Sequence, residues 1–465
     1  MSQIEKYLIK NQSVTLYAFH LRTELAKELT EDSSLLWENL AKLGERLSAP
    51  PLQGLLSELI CYKNGQYDPN EEEGKKTAWL ELTQPRELTF CGQNQMGFVF
   101  SGSIYPVRIH DTYAADLTFF CKDREMQVSQ LNRLNPDACL MPSRIQASLG
   151  QTLLLYAEPT DREFDSRLIA DECLKGLLQD SNETLPLFIK EGKLFGSPIF
   201  EYEDYTYDPL QRRHILVWLC EHSQTAELAQ IVSNSLMNLL CCRNKIFYAF
   251  HQSRESDESA RQLYRKLEEN IEQFEIKAEQ PERLKLMENL LAEMPPDEMR
   301  YARSLRNMSD HRTTIKANIS NYETSLEEIR KLRLPDDDLT FFDKFLTDAR
   351  QFLSQIRTDM NFLAPGQRLS QQMVAGIRGI VEIDTLKQMK ENEESGSKLQ
   401  ERLEILVAVI VGILNGAMLS ATVHSELPKI FSITDPLFFH LIFSGLPTGL
   451  VILLIVLIVQ HLWKK

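Results

Sequence analysis

Four polar residues near the end of the chain are spaced so that their oxygen atoms can contact a hydrated cation. Asn415 and Thr422 are seven residues apart, so on a helix they lie on nearly the same face. Both lie in or at the end of an apolar stretch, where amide and hydroxyl groups tend to face a bundle interior or a water path. Glu426 and Asp435 follow, and in a symmetric oligomer they would form carboxylate rings at an outer mouth. This pattern predicts passage of a cation that keeps its water.

Each of these residues also has a purely structural interpretation. Asn415 and Thr422 can form hydrogen bonds between neighbouring helices, and Glu426 and Asp435 can be solvated loop acids. Conduction further requires a symmetric oligomer, because two helices cannot enclose a pore. Gly416, beside Asn415, completes the set of pore-lining candidates.

Small residues recur every four positions in the same stretch and form a ridge that lets helices approach closely in lipid. The ridge fits packing between two helices of one chain and packing between subunits equally well. Its members are Ala408, Gly412, Gly416 and Ser420.

Two apolar stretches, 405–422 and 437–462, must position these residues. The first has no charge, and the only ionisable groups of the second are His440 and His461. A helix that crosses a bilayer needs about 20 apolar residues, so the sequence predicts a two-span hairpin over 404–465, in contact with lipid.

The charges around the hairpin predict its orientation. Positive residues favour the cytoplasmic side, so both termini should be cytoplasmic, in an inner or plasma membrane. The basic residues that carry this argument are Lys390, Lys398, Arg402, Lys464 and Lys465.

Composition excludes several functions. The net charge of −15 argues against nucleic acid as a partner, because phosphate binding needs a basic face. The eight cysteines form no C-x-x-C pair, which is typical of a reducing compartment. The sequence has no phosphate-binding P-loop, H-E-x-x-H or G-x-S-x-G motif, so we expect no enzymatic activity.

The sequence pattern of residues 1–222 is typical of an α+β domain, because short apolar runs alternate with turn residues. The pattern places the turn of a hairpin at Glu191-Gly192. The ranges predicted as strands are 13–22, 88–91, 97–101, 104–110, 114–121, 152–157, 187–190, 193–202 and 215–220, and those predicted as helices are 35–47, 125–134 and 167–178.

Residues 223–403 are predicted to form long antiparallel helices resembling a coiled-coil stalk. A strict seven-residue repeat runs from Phe342 to Leu363, a pattern that packs helices side by side. Prolines predict breaks at Pro295-Pro296, Leu334-Pro335 and Pro365-Gly366.

Three consecutive acids, Asp336, Asp337 and Asp338, precede this repeat. They fit a cap for the next helix, and they also fit a regulatory site for a divalent cation with oxygen ligands.

This order of parts resembles the CorA-type divalent cation transporters. The resemblance covers nearly the whole chain as architecture: a cytoplasmic α/β domain, long helices, a stalk helix that enters the first of two spans, and a basic C-terminus. The family carries Gly-Met-Asn at the end of the first span, where this chain has Asn415-Gly416-Ala417-Met418. The acidic loop of the family is echoed by Ser425-Glu426-Leu427-Pro428. The resemblance implies a homo-pentamer that binds Mg²⁺ or another divalent cation as substrate or regulator.

The sequence thus predicts a homo-oligomeric membrane channel or transporter for metal cations, gated by its cytoplasmic helices. The alternative is a membrane-anchored scaffold or interaction protein without transport activity. The substitution Asn415→Leu distinguishes the two functions, because a pore needs a polar group facing its axis whereas an anchor tolerates leucine there.

Overall fold

The computed structural model describes residues 7–22, 32–69, 77–93, 97–121, 124–161, 165–181, 184–276 and 282–391. The predicted spans 405–422 and 437–462 lie outside these residues. Across the described ranges, no helix has both the length and the apolar character needed to cross a membrane.

The chain forms two compact units. Residues 1–252 with 311–355 make the first, and residues 253–310 with 356–465 make the second. Three long helices, α7 (Ser233–Ile276), α8 (Glu282–Arg330) and α9 (Thr340–Glu391), contribute to both. The predicted combination of an α+β region followed by long helices is confirmed.

The first unit is built on a ten-stranded sheet with the order β10-β11-β12-β9-β1-β7-β6-β4, in which β5 also pairs with β6 and β8 with β1. Neighbouring strands are antiparallel except β9 and β12, which are parallel. A separate hairpin pairs β2 with β3. The strands are β1 (Leu8–Leu21), β2 (Tyr62–Lys63), β3 (Gln66–Tyr67), β4 (Trp79–Glu81), β5 (Leu88–Gln93), β6 (Val99–Ile109), β7 (Thr112–Phe120), β8 (Met126–Gln127), β9 (Gly150–Pro159), β10 (Leu187–Leu194), β11 (Ser197–Glu203) and β12 (His214–Leu219).

One face of the sheet carries the main apolar core. Alternate residues of β1, Val14, Leu16 and Ala18, are fully buried there, as the two-residue period of a strand dictates. Trp37 of helix α1 packs into the same core. The short helices of this unit are α1 (Leu35–Arg46), α2 (Pro50–Gln53), α3 (Leu55–Glu58), α4 (Pro142–Ile145), α5 (Ser166–Leu177) and α6 (Thr225–Ile231).

Most predicted elements of this unit are present, and three differ. The ranges 97–101 and 104–110 belong to one strand, β6. The range 125–134 is a two-residue strand followed by a 3₁₀ helix, Val128–Leu134. The turn predicted at Glu191-Gly192 is wrong: β10 continues to Leu194, and the turn is Phe195-Gly196, where both φ angles are positive. Two successive positive φ angles give a type I′ turn, which matches the strand twist.

The second unit is a three-helix bundle. Along α7 and α8 the contacts Lys266–Asp297 and Ser259–Ser304 run in opposite order, as do Tyr301–Leu363 and Glu323–Arg350 along α8 and α9, so α8 is antiparallel to the other two helices. Its apolar core consists of Leu267, Ile271, Met287, Leu290, Met294, Leu369, Met373, Val374, Ile377 and Ile380.

Two of the predicted proline breaks are wrong. Helix α8 continues through Pro295 and Pro296, and α9 continues through Pro365. Each internal proline costs about 3 kcal/mol, whereas each fully buried apolar side chain contributes about 1.5–3 kcal/mol. The buried core residues on both sides therefore offset the local penalty. The break at Leu334-Pro335 is confirmed.

The seven-residue repeat predicted in α9 faces the interior of the protein. Its members are Phe342, Leu346, Ala349, Leu353, Ile356, Met360 and Leu363. Of its seven residues, five are buried and two, Leu353 and Met360, are half-buried. Phe342, Ala349 and Ile356 are at most 3 % exposed. The seven-residue repeat therefore identified the packed face of this helix correctly.

Asp116 of β7 gives the sheet a pH-dependent stability. It lies between Tyr17 of β1 and Tyr105 of β6, and Thr118 donates a 3.1 Å hydrogen bond to its carboxylate. The residue keeps some exposure, but dense packing around the carboxyl raises its pKa to about 7. A carboxyl whose pKa is raised on folding destabilises the folded state as pH rises from about 4 to 7.

We therefore expect Asp116→Asn to stabilise the protein at pH 8 by on the order of 1–3 kcal/mol, and to have little effect at pH 4.5. Denaturant unfolding of the purified protein at the two pH values measures this. Glu45→Gln, at an exposed position, is the control. A gain for Asp116→Asn that is equal at both pH values would show that ionisation is not its cause.

Candidate functional site

The three consecutive aspartates are the sequence-predicted site residues that the structure describes. Asn415, Thr422, Glu426, Asp435 and the small-residue ridge lie outside the described residues. In the part of the chain that is described, no three His, Cys, Asp or Glu side chains converge as metal ligands would. A regulatory metal at the aspartates stays a prediction.

Asp337 attaches the loop between α8 and α9 to the β10–β11 hairpin. Its carboxylate accepts hydrogen bonds from the backbone N–H groups of Phe195, at 2.9 Å, and Gly196, at 2.7 Å. A third comes from the N–H of Leu334, at 2.8 Å. A carboxylate that receives three backbone donors is held firmly, because charge-assisted hydrogen bonds are the stronger kind.

Asp338 continues the attachment through its backbone. Its N–H and C=O exchange hydrogen bonds of 2.9 Å with Lys193, which extends the sheet beyond the edge strand β10. Its carboxylate accepts from the N–H of Thr340, at 2.9 Å, and this bond lowers the pKa of Asp338. Asp338 therefore contacts the first backbone N–H of α9, while the side chain of Asp336 stays exposed.

Gly192 makes room for this attachment. A Cβ at this position would lie 2.7 Å from the carbonyl oxygen of Asp338 and 2.6 Å from the ring of Phe341. A side chain therefore cannot occupy the place where the start of α9 meets β10. We call the contacts of Asp337 and Asp338 with β10 and the β10–β11 turn the sheet–α9 joint.

A buried ionic cluster in the same unit joins β11, the start of β12 with the loop before it, and α7. Arg243 of α7 donates to Glu201 at 2.8 Å and to Glu203 at 3.0 Å. Arg212 donates to Glu203 at 2.6 Å. His214 contacts Glu201 at 3.2 Å. All five side chains are largely shielded from solvent. Removing any one of them would leave a buried polar or charged partner unpaired, which strongly lowers the free energy of unfolding.

The electrostatics of the cluster keep its charges in place. Burial opposes the ionisation of Glu203, but Arg212 and Arg243 outweigh it and hold the pKa of Glu203 well below its usual range. Burial lowers the pKa of Arg212 to about 10, which leaves it charged at neutral pH.

His214 completes the cluster as a neutral ring. Burial, with Arg243 adding to it, lowers the pKa of His214, so the imidazole is neutral at pH 7. Its partners assign the tautomer: Nε2–H donates to Glu201, and Nδ1 accepts from the hydroxyl of Thr152 at 2.8 Å.

Aromatic rings connect this cluster to all three long helices. The Arg212 guanidinium lies 3.2 Å from the ring centroid of Phe247 on α7. Arg243 lies 5.2 Å from that of Phe345 on α9, which is 5.0 Å from Tyr322 on α8. Cations over aromatic rings add to the stability of such pairs. The cluster therefore fixes the long helices against the sheet.

Sequence reasoning did not identify the cluster, although a signal was present. Glu201 and Glu203 flank Tyr202 at the end of the predicted strand 193–202, and Arg212 and His214 come just before the predicted strand 215–220. Charges with a two-residue period on a buried strand indicate buried partners.

Comparisons with known proteins add no assignment. No protein-family model, curated protein or solved structure gave a significant match to the chain.

We expect Arg243→Ala to reduce the free energy of unfolding by about 3–5 kcal/mol, because it leaves Glu201 and Glu203 buried without their shared cation. The matched control is Arg350→Ala, which removes the exposed ion pair of Arg350 with Glu323 and should cost less than about 1 kcal/mol. Equal losses in denaturant titrations of the two variants would refute the assignment of the cluster as a stabilising element.

Proposed function

We propose that the chain is a homo-oligomeric integral membrane channel for divalent metal cations, with Mg²⁺ as the first candidate, and that its α+β domain acts on the pore through α9. The observation that carries the proposal is the path of α9. This helix begins at the sheet–α9 joint and continues for 52 residues towards the predicted first span.

A single long helix suits the role of a lever. Helix α9 has 52 residues, and a movement at the beginning of a helix can be carried along it where its packing holds. The joint holds its first turn, and the buried ionic cluster holds Phe345 one turn later.

The conduction path in this proposal uses the predicted residues of the hairpin. Glu426 and Asp435 attract the cation at the outer mouth, and Asn415 and Thr422 contact its water inside the span. The ridge of small residues packs the spans. The resemblance to CorA-type transporters supports a pentamer, with both termini of each chain in the cytoplasm.

One observation favours the alternative, a membrane-anchored interaction protein. The edge strand β10 exposes Leu187 by 51 % and Phe188 by 37 % of their surfaces, and Leu185, two residues before Leu187, is also exposed. Exposed edge strands with apolar side chains are sites at which other chains add a strand.

Flux measurements in proteoliposomes decide between the two candidates. We expect the wild-type protein to carry Mg²⁺ into vesicles that hold a fluorescent indicator. Asn415→Leu should reduce the flux at least tenfold at unchanged oligomer size, because it removes the polar group from the pore wall. Ile413→Leu is the matched control, because a helix over the predicted span 405–422 would place Ile413 on the face opposite Asn415. An intact wild-type oligomer without flux would refute the channel and favour the interaction protein.

The same assay tests the lever. Asp337→Ala removes the carboxylate from the joint, and it should change the Mg²⁺ dependence of the flux without abolishing conduction. Asp336→Ala changes an exposed neighbour and should behave as wild type. If both variants gave the same flux at every Mg²⁺ concentration, the sheet–α9 joint would have no part in gating.

A further inference from the structure

We infer that one stretch of strand β10, residues 187–191, binds an extended segment of a partner protein that carries an acidic residue two positions from an apolar one. We call this stretch the open edge. The segment would pair with β10 through its backbone and so add a strand to the sheet. The open edge lies in the first unit, outside the predicted hairpin, so this binding is independent of ion conduction.

The backbone of the open edge is free to pair with another chain. Strand β10 is the last strand of its sheet and pairs there with β11 alone. On its other side Asp338 pairs with Lys193, and none of the described residues pairs with the stretch 187–191. At the opposite edge of the sheet, by contrast, the N–H of Gln93 on β5 donates to the carbonyl of Leu47 at 2.9 Å. Native proteins usually protect such edges, so a stretch left open is available to a partner.

The open edge presents apolar side chains on both faces of the sheet. Residues directly opposite each other on paired strands share a face. Leu187 lies opposite Glu203, on the face of the buried ionic cluster, and Phe188 lies opposite Tyr202, on the face of the main apolar core. Both Leu187 and Phe188 are exposed. An added strand, whose side chains alternate between the two faces, would therefore find an apolar neighbour on each of them.

More apolar surface lies beside the start of β10. Arg213 donates to the Thr184 carbonyl at 2.6 Å and to the Asp204 carboxylate at 2.7 Å. The residues that follow these two acceptors, Leu185 and Tyr205, therefore lie at the same corner of the sheet. Leu185 is exposed, and Tyr205 exposes 85 % of its surface. Exposed apolar side chains that cluster in this way mark sites of association with other proteins.

A lysine beside these apolar side chains predicts an acid in the partner and sets its spacing. A bulge after Phe188 brings Lys190 opposite Glu201, so Lys190 projects from the same face as Leu187. Leu187 and Lys190 thus lie opposite two residues of β11, Glu203 and Glu201, that are two positions apart. A strand added in the same register would place an apolar residue beside Leu187 and an acid beside Lys190, also two positions apart.

The chain itself places an acidic segment against the same edge. Asp338 and Lys193 exchange backbone hydrogen bonds of 2.9 Å, so the segment that contains Asp338 lies beside β10 as an added strand would. The N–H of Thr340 lowers the pKa of Asp338, and the ammonium group of Lys190 lowers it further. An acid in a partner strand beside Lys190 would be stabilised by the same attraction. The charge of the edge therefore favours an acidic occupant.

Selection from a phage-displayed library of short random peptides tests the inference. The target is the full-length protein in detergent, and peptides that also bind Leu187→Lys/Phe188→Lys are removed. We expect the remaining peptides to share an Asp or Glu two positions from a Leu, Ile, Val or Phe. The best of them should slow hydrogen exchange about tenfold at those amides of residues 187–191 that point away from β11, because an added strand pairs with them.

Reversal of one charge shows whether the acid of the peptide contacts Lys190. Lys190→Glu should weaken the binding of the best peptide about tenfold, measured by fluorescence anisotropy. A peptide in which lysine replaces the acid should recover that loss, because the pair then has opposite charges again. Lys63→Glu, at an exposed position of the β2–β3 hairpin, is the matched control and should bind the original peptide as wild type does.

Three results would overturn the inference. The first is a selection that enriches no peptide, or only peptides without the acid. The second is enrichment of peptides that copy residues 185–191, because the occupant would then be β10 of a second copy. The third is a peptide that slows exchange elsewhere and leaves residues 187–191 unchanged. The exchange measurement uses the wild-type protein, so it decides the matter even where a substitution impairs folding. A protein without ion flux and a protein without peptide binding are separate results.

Discussion

The structure depends on the pairing of charges that the sheet buries. Glu201 and Glu203 lose their hydration when β11 is covered, and an isolated buried carboxylate is several kcal/mol too costly to keep. Arg243 can satisfy both only if α7 lies at one position along the sheet. The desolvation cost of two side chains thus sets the register of a 44-residue helix.

The beginning of α9 is held to the sheet by hydrogen bonds. Its first turn is fixed by the carboxylate of Asp337 and by the backbone pair of Asp338 with Lys193. Further along, Leu363, Gly366 and Ser370 are all buried, so the packed face of α9 continues across Pro365.

Local sequence patterns predicted most of the secondary structure, because strands and helices follow the periods of their buried faces. The failures have physical reasons. Gly192 was assigned to a turn, but its missing side chain serves the approach of Phe341 to β10. Pro295 and Pro365 were assigned to breaks, but core packing on both sides exceeds the local cost of a proline.

The candidate site was less predictable than the fold. The carboxylate of Asp337 contacts residues some 140 positions earlier in the chain, and Arg243 contacts residues 40 positions earlier. One sequence does not reveal contacts at such separations. The sequence marks the aspartates as chemically unusual, but only the structure shows that Asp337 and Asp338 join the sheet, that Asp338 also contacts the start of α9, and that Asp336 makes neither contact.

The proposed channel requires a ring of identical chains, and light scattering of the detergent-purified protein tests this requirement most directly. The account predicts one stable species with the mass of five chains, whose hydrodynamic size changes when millimolar Mg²⁺ is added. A monomer or a dimer would contradict it, because two spans from each of one or two chains cannot enclose a cation pathway.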